Sequence, residues 1–121
     1  MKAFTFAILA CLMSGNALAN GPIYLECKIS SLTTDLSITL NEATGKATQT
    51  YKANGSGFTS DAQFNADEII YQKKVATLQQ SERFTINRSN LAISQSIFID
   101  GKKIGGGDGM CKVIKSKGNK I

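Results

Sequence analysis

From residue 23 onward, apolar and polar side chains alternate in short runs separated by turn-forming residues. This is the two-residue period of antiparallel strands with one buried face. Ile23, Leu25, Cys27 and Ile29 share one face of the run Ile23–Ile29, and Leu36, Ile38 and Leu40 repeat the pattern around Ser37 and Thr39. A turn over Asn41–Lys46, in which Gly45 is free to take positive φ, leads into a polar strand over Ala47–Lys52. Asn54–Gly57 forms the next loop. Residues 58–67 carry mixed signals: Ser60–Gln63 fits the start of a helical turn, whereas Phe58 and Phe64 fit strand anchors. Asp67–Gln72 predicts a strand that Lys74–Leu78 extends or pairs with. Arg83–Asn87 and Leu91–Ile99 predict a hairpin about Arg88, Ser89 and Asn90. Asp100–Gly109 then reads as a glycine-rich loop and Met110–Ile114 as a closing strand.

That spacing implies an all-β chain of seven or eight short strands, folded as a small single-domain antiparallel sandwich or flattened barrel. The 121 residues allow one domain and exclude TIM barrels and two-domain enzymes. The expected core draws on Leu25, Ile29, Ile38, Leu40, Phe64, Ile70, Phe84, Ile86, Leu91, Ile93, Ile97 and Val113.

The first residues read as a targeting segment. Lys2 precedes the apolar run Ala3–Met13, which is shorter than the roughly 20 residues of a membrane helix, so no transmembrane span is expected. Ser14-Gly15-Asn16 and the small-residue site Ala17-Leu18-Ala19 follow, in the order of a secretory signal peptide. Residues 1–19 are therefore expected to be a signal peptide cleaved between Ala19 and Asn20, residues 20–114 a β domain, and residues 115–121 a basic flexible tail. The product is expected in the periplasm or outside the cell. In a minor alternative, Cys11 within Ile8-Leu9-Ala10-Cys11 becomes the lipid-modified N-terminus of a lipoprotein.

Cleavage leaves Cys27 and Cys111. Two thiols near opposite ends of an exported domain imply one disulfide, tying the first strand to the last. The loop-entropy account assigns such a closure about 4–5 kcal/mol. With no C-x-x-C motif in the chain, the bridge is read as structural rather than redox-active.

Charge narrows the partners. The formal net charge is +5, yet residues 20–110 balance, with nine basic against nine acidic side chains. Apart from Lys2, the excess sits on Lys112, Lys115, Lys117 and Lys120, the residues expected to contact an anionic surface such as lipid or lipopolysaccharide in the alternative reading below. The arginines are Arg83 and Arg88 alone, with no interleaving of aromatic and basic residues, so nucleic acid is not expected as a partner.

The chain has no histidine, which removes Ser-His-Asp and Cys-His nucleophile systems and imidazole metal sites. The carboxylates Asp61, Asp67, Glu68 and Glu82 have no spacing that fixes a facing pair of the kind glycosidases use. No catalytic residue, metal or cofactor is expected. The most distinctive stretch is Lys102, Lys103, Gly105, Gly106, Gly107, Asp108 and Gly109, read as a partner-binding loop whose C-terminal stem Cys111 fixes. Asn54-Gly55-Ser56 and Asn87-Arg88-Ser89 match the glycosylation sequon but read as turns.

These readings converge on a small exported, non-catalytic β-domain that binds a protein partner, of inhibitor or immunity type, or another envelope component. The alternatives are an electrostatic envelope-surface binder acting through the C-terminal lysines, and a small ligand-binding barrel or hydrolase.

Overall fold

The computed structural model describes residues 21–75, 77 and 79–114. Residues 1–19, expected to be a signal peptide, with Cys11 among them, and the tail residues Lys115, Lys117 and Lys120 lie outside them. The strands are β1 (Ile23–Ile29), β2 (Leu36–Asn41), β3 (Lys46–Tyr51), β4 (Gly57–Phe64), β5 (Glu68–Val75), β6 (Gln80–Asn87), β7 (Ala92–Ile99) and β8 (Lys102–Ile114). Each pairs antiparallel with its neighbour in sequence, and β8 returns to β1 to close an eight-stranded barrel. Barrels of this size enclose just enough space for side chains or one small ligand.

Alternation decides what fills it. Leu25, Leu36, Ile38, Leu40, Ala47, Ile69, Tyr71, Phe84, Ile86 and Ile93 point inward and are buried. The intervening positions Lys28, Lys46, Thr59, Asp61, Gln63, Lys74 and Arg83 are exposed. This polar-out, apolar-in arrangement is the reverse of a membrane barrel's lipid-facing pattern. At the closing seam Cys27 pairs with Cys111 in register, and the two form a disulfide with Cα atoms 4.0 Å apart. The bond joins first strand to last, as expected.

Three expected core positions differ. The run Ile69-Ile70-Tyr71 is ambiguous in parity, and the register resolves it by burying Ile69 and Tyr71 while Ile70 faces out, half-buried. Ile97 is half-buried beside a bulge: Ile97 pairs with Gly105 and Phe98 with Lys103, which leaves Ile104 extra on β8. Val113 lies at the end of the closing strand, 62% exposed.

The largest correction concerns the glycine-rich stretch, which is strand rather than loop. Asp100 and Gly101 both have positive φ, 52° and 79°, the requirement of a two-residue type I′ hairpin. β8 therefore starts immediately at Lys102. Its glycines permit close packing: a Cβ at Gly109 would overlap the Lys28 carbonyl oxygen and lie 2.7 Å from Ile29 Cα. At Gly107 a Cβ would meet the Ser30 and Ser31 hydroxyls at 2.8 Å.

Candidate binding site

One seam of the barrel is incompletely closed. β4 and β5 pair only through Ala62↔Tyr71, Gln63↔Ile70 and Phe64↔Ile69. By contrast β5 and β6 pair along their whole length, from Glu68↔Asn87 to Val75↔Gln80. Beyond Tyr71, residues Gly57–Asp61 of β4 and Gln72–Val75 of β5 have no partners across this seam, and the strands splay into a cleft of about 900 Å³.

Two turn hydrogen bonds identify which main-chain groups face the opening. The Asn65 N–H donates to the Glu68 carbonyl at 2.9 Å, and the Ala62 N–H donates to the Gly45 carbonyl at 2.8 Å. Main-chain groups of alternate residues in an antiparallel strand point to the same neighbour. Glu68, Ile70, Gln72 and Lys74 therefore direct theirs toward β4. Ala62, Ser60 and Phe58 direct theirs toward β3, leaving Thr59 and Asp61 facing β5. Continued, the ladder would set Thr59 opposite Lys74; instead both face the gap. Main-chain donors and acceptors in such a position need a partner or water.

The side chains give the cleft two faces. Inside, Phe58 and Tyr71 have ring centroids 6.3 Å apart, and Tyr71 stacks on Phe84 at 5.2 Å. Outside stand Lys74 and Arg83, with Lys73 at the inner edge. Asp61 is held by Lys46 at 2.6 Å, and that hydrogen bond and charge keep its carboxyl below the usual range. Among the described residues, Lys73, Lys74 and Arg83 make no ion pair. The Lys73 ammonium lies instead 5.5 Å from the Tyr51 ring centroid and 5.7 Å from that of Phe58. The Arg83 guanidinium lies 5.8 Å from Phe98. The cleft is thus cationic over an aromatic floor.

The polar side chains inside the barrel are internally satisfied. Tyr71 Oη donates to Gln49 Oε1 at 2.6 Å, and burial pushes the Tyr71 phenol well above its ordinary value. Ser31 Oγ donates to Gln95 Oε1 at 2.6 Å. Gln95 Nε2 donates to Glu82 Oε1 at 3.0 Å, and Gln80 Nε2 to Glu82 Oε2 at 3.4 Å. Among the described residues no buried side-chain nitrogen or oxygen lacks a partner. Glu82 sits opposite Lys73 in the β5–β6 register, yet each is engaged elsewhere. Asp67 and Glu68 lie at the far end of β5 from Lys73, so the carboxylates do not converge.

The glycine-rich residues occupy a different place. Lys103, Gly105, Gly106, Gly107 and Asp108 line a shallow depression of about 460 Å³ with Ser94, Gln95 and Ser96. Lys102 lies at the hairpin and Gly109 beneath β1. In an extended strand successive N–H groups point to opposite sides, so this segment does not form the convergent donor nest that a loop offers. Lys112 reaches Glu26 at 3.6 Å. Glu26 also pairs with Lys52, whose hydrogen bond and then charge, more than Lys112, lower the Glu26 carboxyl. Sequence reading missed Phe58, Thr59, Lys73, Lys74 and Arg83 as a group. The signal present was a run of cations on β5 and β6 opposite a strand of uncertain assignment.

No known protein family, curated protein or solved structure matches this chain.

Proposed function

We propose that this chain is an exported, non-catalytic binding domain that captures a protein partner, and that the β4–β5 cleft is the docking site. The single observation that carries this reading is the open seam: main-chain groups, cations without carboxylate partners among the described residues and aromatic surface meet where the barrel wall parts. The engaged state of Glu82 and the separation of Asp67 and Glu68 from it favour binding over hydrolysis. Disulfide closure suits an oxidising compartment.

The test is capture from envelope extract by the disulfide-intact protein, with the double variant Lys74→Glu/Arg83→Glu as comparison. One stoichiometric protein retained by the parent at moderate salt and lost by the variant is the expected result. Equal retention by both removes the cleft from the account. Lipid or lipopolysaccharide alone, released by salt, would favour the lysine-rich C-terminus. Export is checked separately: N-terminal sequencing of the purified protein is expected to begin at Asn20. A chain beginning at Met1 contradicts export, and one beginning at an acylated Cys11 reassigns it to the lipoproteins.

A further inference from the structure

We infer that the β4–β5 seam is a strand-addition site, and that its occupant is an extended, acidic segment of the partner protein with apolar residues at alternate positions. The inference rests on the protein-binding reading above and specifies its mode.

An unpaired strand edge within a sheet is a template for another extended chain: main-chain hydrogen bonds supply affinity and alternating side chains supply specificity. In this barrel the edge is long enough to matter. Gly57–Asp61 on one side and Gln72–Val75 on the other run without partners across this seam, and the main-chain groups of Thr59 and Lys74 face the gap. An occupant in extended conformation turns alternate side chains to opposite faces. Those turned inward meet Phe58, which is half-buried above the Tyr71–Phe84 stack, so apolar side chains fit against the ring, with the Lys73 ammonium beside it at 5.7 Å from the ring centroid. Those turned outward meet Lys74 and Arg83, both exposed and without carboxylate partners among the described residues, so acidic side chains fit there. Asp61, the acidic residue lining the cleft, is already neutralised by Lys46.

The same charge argues against a second copy as occupant. Seam-to-seam pairing of two barrels would bring Lys73, Lys74 and Arg83 of each toward the other's cations, and like charges placed opposite are unfavourable.

The test uses the full exported protein and three synthetic probes: a short alternating Glu/Val peptide, the same peptide N-methylated at alternate residues, and a Lys/Val peptide. Binding is followed by amide NMR shifts and hydrogen exchange. The Glu/Val peptide is expected to bind and to protect the Thr59 and Lys74 amides. N-methylation, which removes donors while leaving charge intact, is expected to weaken binding about tenfold or more, and the Lys/Val peptide is expected not to bind. In Lys74→Glu/Arg83→Glu the Glu/Val peptide is expected to lose at least as much, with the variant's own amide spectrum unchanged outside the cleft. Equal binding of the methylated peptide reduces the site to charge capture and overturns strand addition. Protection confined to β8, or salt-resistant dimers in which Thr59 is protected without peptide, overturns it as well. If the captured partner still depends on Lys74 and Arg83 while the Glu/Val peptide fails, the docking mode falls and the protein-binding reading survives. If neither partner nor peptide is retained, both fall.

Discussion

The β8–β1 and β4–β5 seams share one antiparallel geometry and differ in how it is held. At β8–β1 the ladder runs from Tyr24↔Ile114 to Ile29↔Gly109, glycine lets the two backbones approach, and a disulfide locks the pair. At β4–β5 the ladder stops after Ala62↔Tyr71, with cations collected on β5 and β6 and no covalent tie. A barrel of this size needs closure to remove its edges, and the covalent tie falls where the first and last strands meet. The edge left open lies mid-chain, where β3 and β6 hold the two lips from behind. The contrast teaches that covalent closure and an open strand edge fall on opposite sides of one small wall.

The comparison breaks most severely at the locked seam. Replacing both Cys27 and Cys111 with alanine is expected to cost about 4–5 kcal/mol, measured by urea unfolding, because the bridge spans a sequence separation of 84 residues. Gly109→Ala is expected to cost about 3 kcal/mol by forcing β8 away from Lys28 and Ile29. A loss below about 0.5 kcal/mol there would mean the seam is looser than its glycines imply.

The shared core between the seams comes next. Tyr71→Phe leaves the buried Gln49 carbonyl without its donor and is expected to cost about 1–3 kcal/mol. Tyr71 also sets an alkaline limit. Burial raises its phenol above the usual 10.0 in the fold, so the unfolded chain ionises first, the native state binds more protons, and stability falls as pH rises past about 10. Tyr71→Phe is expected to flatten that decline in a pH series of unfolding midpoints. A decline of unchanged slope would remove Tyr71 as its source.

The open seam is expected to be nearly silent in stability. Lys74→Glu/Arg83→Glu should stay within about 0.5 kcal/mol of the parent, since exposed charges away from special features do little to the fold. Its expected effect is on binding. The smallest change is electrostatic, at the locked side: Lys52 and Lys112 hold the Glu26 carboxyl below 4.5. The native state therefore releases its proton more readily than the unfolded chain, and stability present at neutral pH fades as pH falls below about 4.5. Glu26→Gln is expected to lessen that acid sensitivity slightly in the same midpoint series.

Much of this architecture was legible in the residues themselves. Clean alternation over Ile23–Ile29 and Leu36–Leu40 specified both strand and inward face, and the cysteine positions specified closure. The failures have physical sources. Ile69-Ile70-Tyr71 presents three apolar residues in succession, so parity could be read only once Phe84 and Ile86 were seen across the register. Five glycines between Gly101 and Gly109 resemble a loop, because glycine's freedom serves turns and close approach equally. The dipeptide Asp100-Gly101 was the deciding signal for a tight hairpin, and with it β8. The cleft was not legible, since nothing in local sequence states where two neighbouring strands stop pairing. It depends on how the whole barrel twists and closes.

The central claim concerns two main-chain positions, so hydrogen exchange on the free protein and on its complex with the captured partner tests it most directly. In the free protein the Thr59 and Lys74 amides are expected to exchange fast while those of Cys27 and Cys111 stay protected, and partner addition is expected to slow Thr59 and Lys74 selectively. If those two amides are protected in the free protein, or stay fast in the complex while others slow, the open seam is not the docking site.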